Sequence, residues 1–527
     1  MTRLAFLLTA TCFFPPAFAQ ERILFVTAEQ SGVFNTGGLG HTTSSLARAL
    51  NEAGESVEVV MPYYSTLDST LKGIKDEKIR YSFRWGQGEG AESFRFGLFS
   101  TTNPRTGTRT YLLKPLSHPE LFENAPPPGT PTRYTNYSSE GKAFAAFNQA
   151  AAEFAKGRDY TLVNTHDWHA GLFGRFAREG GSDVKILFTI SNLGYQGLTD
   201  FSAFGPLFRD SEKYPGSPYE FHGRFNFMKA GVHDADAVLT VSPGYLADIQ
   251  TPRFGHGLDG FLRAESKRKP LLAILNGTDL ANWRPTDFSA ESLDGKRTGK
   301  LELQTLLGLD ADSERPLFCL TSRLAHQKGY DYLPGALRKL LDSDKNAQIV
   351  VMGDGDARYV EAIERVRADF PQRFIYRPFS AELEIPMTRY SDFFVNAAWY
   401  EPSGTNQIFA LANGTLPLLS RTGGLPDYVI EGKTGFLYDI AFHDHSDSID
   451  VRQSERNVGE ALIQAAKDFR ERPKAHSDRV RAALSVDHSW KAQIPRYREV
   501  FRITEESRLK RFGGSGCKTA LKAVLDL

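Results

Sequence analysis

Between Trp399 and Leu425 the chain reads WYEPSGTNQIFALANGTLPLLSRTGGL, and the residue types and their order form one chemical device. An apolar strand expected over residues 393–398 ends in a polar turn carrying Glu401. An apolar helix over 408–412, a short strand over 416–420 and the turn Arg421-Thr422-Gly423-Gly424 follow. Turns at the carboxyl ends of parallel strands bind ligands, because helix N-termini and free backbone N–H groups converge there. A carboxylate with glycine turns at such an edge suits a sugar hydroxyl face beside a diphosphate. Arg323 and Lys328, in SRLAHQKG, follow a second apolar strand over 317–321. Two cations five residues apart at a strand end can clamp a diphosphate and neutralise charge as it leaves. Alone they equally suit a surface pair beginning a helix; Glu401 and the 421–424 turn on neighbouring strands favour the chemical reading.

Short apolar strands separated by helical stretches predict βαβ units and mostly parallel sheets in two halves, an α/β protein. The first half has strands over 22–27, 57–61, 110–113, 160–165, 185–190 and 237–241, with a glycine turn at 36–40 and a helix over 42–53. The second has strands over 317–321, 348–352, 374–376, 393–398 and 416–419. Thr-Gly-Gly-Leu occurs at 36–39 and again at 422–425, each copy after a strand and before a helix. Two Rossmann-like halves facing across a cleft bring both turns to one ligand. The charged run ESKRKP at 265–270 sets the boundary, giving halves at 20–266 and 267–490 and a C-terminal helix and tail at 491–527.

A chain of 527 residues is too long for one core. Lys+Arg and Asp+Glu are both 63, so charge gives no reason to expect nucleic acid or an anionic membrane as partner. Cys12, Cys319 and Cys517 form neither a disulfide framework nor a zinc site. Residues 1–19 have a basic start, a short apolar run and an A-x-A end, the pattern of a secretory signal peptide and so of export; a mis-assigned start would leave a cytoplasmic protein. No other apolar run approaches the ~20 residues that span a bilayer. Three patterns mimic metal sites: His443-Asp444-His445 in a loop, His166 and His169 at i, i+3, and Asp234-Ala-Asp236 before a strand. Each reads better as structure, and no metal is expected.

The chain resembles the bacterial glycogen synthases and plant starch synthases from about residue 22 to about residue 502. The resemblance is carried by TGGLG (36–40), HDWHAGL (166–172), FTISNLGYQG (188–197), FMKAGVHDADAVLTVSPGY (227–245), ILNGTD (274–279), SRLAHQKG (322–329), EPSGTNQ (401–407) and GTLPLLSRTGGLPD (414–427). It implies the GT-B fold and a retaining glucosyltransferase that takes ADP-glucose as donor and an α-1,4-glucan as acceptor, with no cofactor. On matched positions, Arg323 and Lys328 look like the donor-phosphate pair, and Glu401 like the carboxylate on the transferred glucose. Gly404 and Thr405 would offer N–H groups to phosphate, and Phe379 would stack on adenine. Gly37 and Gly38 would let the backbone approach the donor, and Thr422, Gly423 and Gly424 would line its site from the second half. Trp168, Tyr195 and Trp399 would offer faces to glucose rings.

The departures from the family pattern cluster. Asn35 stands where the family writes lysine before TGGL, and Ser191 where it has histidine before Asn-Leu. His41 replaces an aspartate, His222 an asparagine and Ser403 a cysteine. A lost charge-assisted hydrogen bond in a closed site costs about 1.5–3 kcal/mol. The pattern is consistent with a slow synthase, an exported glucan-binding homologue with a weakened donor site, or a retaining transferase of changed specificity.

Overall fold

A computed structural model describes residues 20–123, 140–281, 283–443 and 447–511. The leader at 1–19, the loop around PPPGTP and the tail beyond 511 lie outside them, as do Asp444 and His445. The first domain is built on nine strands: β1 (Arg22–Val26), β2 (Ser56–Pro62), β3 (Lys75–Trp85), β4 (Glu92–Thr102), β5 (Arg109–Pro115), β6 (Leu162–His166), β7 (Lys185–Ile190) and, after a three-stranded sheet of β8 (Leu198–Thr199), β9 (Glu220–Phe221) and β10 (Arg224–Asn226), β11 (Ala237–Thr240) and β12 (Leu271–Ala273). Their order is β12-β11-β7-β6-β1-β2-β5-β4-β3. The second domain holds β13 (Leu317–Thr321), β14 (Gln348–Met352), β15 (Phe374–Arg377), β16 (Phe393–Asn396), β17 (Leu416–Ser420) and β18 (Phe436–Tyr438), ordered β15-β14-β13-β16-β17-β18 and parallel throughout.

The central strands are apolar at every position because both sheet faces are covered. In β1, Leu24 and Val26 feed one core with Phe147 and Phe188, while Ile23 and Phe25 feed another with Leu46 and Leu50. In β13, Phe318 and Leu320 point one way, Leu317 and Cys319 the other. Cys319 is a buried free thiol, and burial pushes it up to about 12. It is core packing.

Two features differ from the sequence expectation, and a third adds to it. The antiparallel hairpin β3–β4 closes one edge of the first sheet where no strand was expected. Its charged, half-exposed residues (KDEKIRYSFRW) lack the apolar run of a buried strand, as an edge permits. The boundary expected at 265–270 falls before β12, which pairs with β11 and is the last strand of the first sheet. The helix Trp490–Arg511 leaves the second domain and packs on the first, burying Ile494, Tyr497, Val500 and Phe501 against Leu46 and Leu187.

Trp490 anchors that return. It is buried, its Nε1 donates to Ser45 Oγ at 2.8 Å, and a Cβ at Gly277 would come within 2.6 Å of its amide nitrogen. Trp490→Ala should cost about 3–5 kcal/mol. Thermal unfolding checks this, and an unchanged midpoint would contradict the anchoring role.

Candidate active site at the domain seam

The turn carrying Lys328 is fastened to the turn carrying Glu401. Trp399 N–H donates to Gln327 O at 3.2 Å, Trp399 Nε1 to His326 O at 3.1 Å, and Gln327 Nε2 to Tyr400 O at 2.8 Å. Gly329 ends the Lys328 turn at φ +82°, where a Cβ would come within 2.1 Å of Ala397 O. Only glycine allows that approach. So held, Lys328 Nζ forms an ion pair with Glu401 Oε2, and Glu401 is 8% exposed. Arg323, at the end of β13, is exposed and has no side-chain partner among the described residues, a free cation at the same sheet edge.

The second glycine turn is a structural joint. Gly424 N–H donates to Glu401 O at 3.0 Å, Thr422 N–H to Ser420 O at 2.9 Å, and Thr422 Oγ1 to Trp399 O at 2.9 Å. Gly423 N–H donates across the seam to Asp248 Oδ2 at 2.8 Å, and Gly244 N–H returns the contact to Asp427 Oδ2 at 2.7 Å. Ser242 Oγ donates to Pro402 O, and the hydroxyls of Tyr245 and Tyr400 meet at 2.5 Å. The Thr422, Gly423 and Gly424 amides, expected to line a donor site, are thus spent within the protein. Burial raises both seam carboxyls, Asp248 to about 6, with the Asp427 charge adding to it.

On the first domain, a carboxylate also fills the first glycine turn. Buried Glu29 accepts from Thr36 N–H (2.8 Å), Thr36 Oγ1 (2.7 Å) and Gly37 N–H (3.1 Å). A Cβ at Gly37 or Gly38 would meet nothing within 4 Å, so both present open space. Asn35 and His41, two of the departures, contact each other: Asn35 Nδ2 lies 3.2 Å from His41 Nε2. Burial, with the Arg105 charge, lowers His41, so the pair is neutral near pH 7. Ser191 N–H donates to Asp167 Oδ1 at 2.7 Å, and Ser403 Oγ meets the Tyr428 hydroxyl at 2.5 Å. His222 sits in a turn at φ +51°, away from this group.

Phe379 is 52% exposed beyond β15, and neither Gly404 nor Thr405 N–H meets an acceptor among the described residues. Tyr195 is 60% exposed and Trp399 half-buried, but Trp168 is buried against Phe144 and Phe227 and offers no face to a ring. Asp236 accepts from Arg178 and from Ile186 N–H, and Asp234 from the Tyr219 hydroxyl, so the DxD-like segment is structural. His166 is fully buried against Phe25. Sequence reading missed Asp167, Asp248 and Tyr400. Asp167, inside HDWH at φ +55°, and Tyr400, inside WYEPSG, have a trace in the sequence, since both sit in quoted motifs; Asp248 has none.

Comparison with known proteins decides the family. Residues 22–264 match the starch synthase catalytic domain and residues 308–469 match the glycosyl transferases group 1. A glycogen synthase of Ralstonia nicotianae is 34% identical over 444 residues, covering 79% of this chain and 78% of that protein. One from Serratia proteamaculans is 30% identical over 502 residues, covering 91% and 99%. This chain belongs to the glycogen and starch synthase family. Its fold is GT-B, as in the catalytic domain of starch synthase IV from Arabidopsis thaliana bound to ADP and acarbose, at TM-score 0.76 and 24% identity over 92% of this chain and all of that one. Sucrose-phosphate synthase of Thermosynechococcus elongatus matches at TM-score 0.56 and 18% identity, over 93% of this chain and all of that one. Among the described residues no helix is long and apolar enough to cross a membrane.

Within this synthase-family site the two Thr-Gly-Gly turns should respond oppositely to a methyl group. A Cβ at Gly423, φ +51°, would come within 1.8 Å of Glu401 O, whereas Gly37 is extended with open space. Gly423→Ala should cost more than ~2 kcal/mol and Gly37→Ala less than ~0.5 kcal/mol in chemical denaturation. Equal effects would contradict the assignment of the second turn as the joint.

Asp167 predicts a pH dependence. Burial pushes its carboxyl up from 3.8 to about 7, with the Glu29 charge adding to the effect against the Ser191 and Asn192 N–H bonds. The folded value lies above the ordinary one, so the stabilisation is full below about pH 4 and lost as pH rises to about 7. Both N–H groups reach Oδ1, which asparagine keeps. Asp167→Asn should flatten the stability profile between those limits and gain on the order of 4 kcal/mol at pH 8. An unchanged slope in pH-dependent unfolding would contradict it.

Proposed function

We propose that the protein transfers glucose from ADP-glucose to the non-reducing end of an α-1,4-glucan with retention of configuration. The observation that carries this reading is the ion pair of buried Glu401 with half-buried Lys328 at the seam, beside Arg323, which has no side-chain partner among the described residues. The C1–phosphate bond breaks and ADP departs with the bonding pair. The acceptor's 4-hydroxyl oxygen then bonds C1 on the same ring face, its proton passing to the departing diphosphate. Arg323 and Lys328 hold the diphosphate and stabilise the charge it gains, and Glu401 orients the glucose and supports positive charge at C1. The unspent N–H groups of Gly404 and Thr405 add phosphate donors, and Phe379 offers a face to adenine. In this reading basic side chains carry the diphosphate charge and no metal ion is required.

Glu401→Gln tests it. With pure protein, ADP-glucose and glycogen, the native chain should release ADP, and the variant should lose at least ~100-fold in rate, as for loss of a charge-stabilising group. No ADP release from the native protein removes the synthase reading; an active variant removes the role of Glu401. The neutral Asn35–His41 pair favours a second reading, a glucan-binding homologue with a weakened donor site, exported if residues 1–19 act as a leader. Calorimetry showing tight ADP-glucose binding without maltooligosaccharide binding counts against it.

A further inference from the structure

The first glycine turn has no cation of its own. Neither lysine nor arginine occurs between Gln30 and His41. The fold brings one there from the turn joining β4 to β5, and Asn103 fixes its place. Asn103 Nδ2 donates to Ser31 O at 2.9 Å, and Asn103 Oδ1 accepts from Arg105 N–H at 2.9 Å. The chain at 30–34 turns back on itself, with Phe34 N–H donating to Gln30 O at 3.0 Å. It lies so close beneath Asn103 that a Cβ at Gly32 would come within 2.4 Å of Asn103 Oδ1 and 3.0 Å of Arg105 Cγ. Ser31 in turn ties that loop to the helix Gly38–Glu52. Its N–H donates to Gly40 O at 2.9 Å, and its carbonyl accepts from Ser44 Oγ at 2.8 Å.

Arg105 thus arrives beside the glycine turn with its side chain almost uncommitted. It is exposed, and one of its five N–H groups is spent, on Ser31 Oγ at 3.3 Å. No carboxylate pairs with it among the described residues. Its charge is felt at the turn, since burial and Arg105 together lower His41. The imidazole therefore stays neutral and the guanidinium is the positive group. Gly37 and Gly38 leave open space, and the N–H groups of Gly38 and Leu39 meet no acceptor among the described residues.

A fork of spare N–H groups on a fixed positive charge, beside open amides, matches a phosphate better than a neutral sugar face. We propose that Arg105 is a further donor-binding residue, which takes the diphosphate of the nucleotide sugar from the first-domain side while Arg323 and Lys328 take it from the second. It supplies the positive charge that Asn35 does not, an assignment that rests on the transferase reading for the identity of the anion.

Arg105→Ala tests it, because the change removes an exposed side chain and leaves the Asn103 bonds in place. Calorimetry should show ADP binding weakened about tenfold, and KM for ADP-glucose should rise by the same factor while KM for maltotetraose stays unchanged. Arg105→Lys should keep most of the affinity. Asn35→Lys added to Arg105→Ala should restore it, which the repair of a merely structural defect would not do. Unchanged ADP affinity in Arg105→Ala overturns the assignment, as does an equal rise in KM for the glucan or a failure of both lysine variants to hold ADP. A native protein that binds no ADP overturns it too. If the native protein binds ADP and transfers no glucose, the transferase reading fails alone and the ADP titrations still decide Arg105.

Discussion

A carboxylate withdrawn from water costs several kcal/mol unless a cation or several donors stand against it. Glu401 meets that condition through Lys328, and much of the second domain is arranged to make the meeting possible. Three hydrogen bonds fasten the 326–328 turn to residues 399–400, and Gly329 lets the chain pass over Ala397. The parallel strands β13 and β16 are neighbours, so their carboxyl ends deliver both turns to one edge. Strand order comes first, then the glycine, then the ion pair.

Elsewhere the carboxylates meet backbone donors. Glu29 is held by the amides of the first glycine turn and Asp248 by an amide of the second, the latter from the opposite domain. Asp427 reciprocates through Gly244. Domain contact therefore rests on backbone donors meeting carboxylates, with the Tyr245–Tyr400 bond between them. A turn that sequence suggests as a ligand cradle works here as a clasp between domains.

The central strands were legible because parallel strands buried on both faces leave unbroken apolar runs; 185–190, 317–321 and 348–352 fall where expected. The hairpin β3–β4 was not, since an edge strand with charged residues carries no such run. In the site, the turns holding Glu401, Lys328 and Arg323 were legible from motif and strand position. What no local pattern states is which amides are already taken: Gly423 is spent on a residue 175 positions earlier in the chain. Nor does sequence reveal that two substituted positions, Asn35 and His41, touch. Their contact belongs to the fold, and neither position states it alone.

Glucose moving from a nucleotide diphosphate to a glucan at the Glu401 edge is the central proposal. Proton NMR of the product from ADP-glucose and maltotetraose tests it most directly. A longer chain whose new anomeric signal is that of an α-1,4 linkage, formed with release of ADP, is the predicted result. A β linkage, or free glucose with no chain extension, would contradict it.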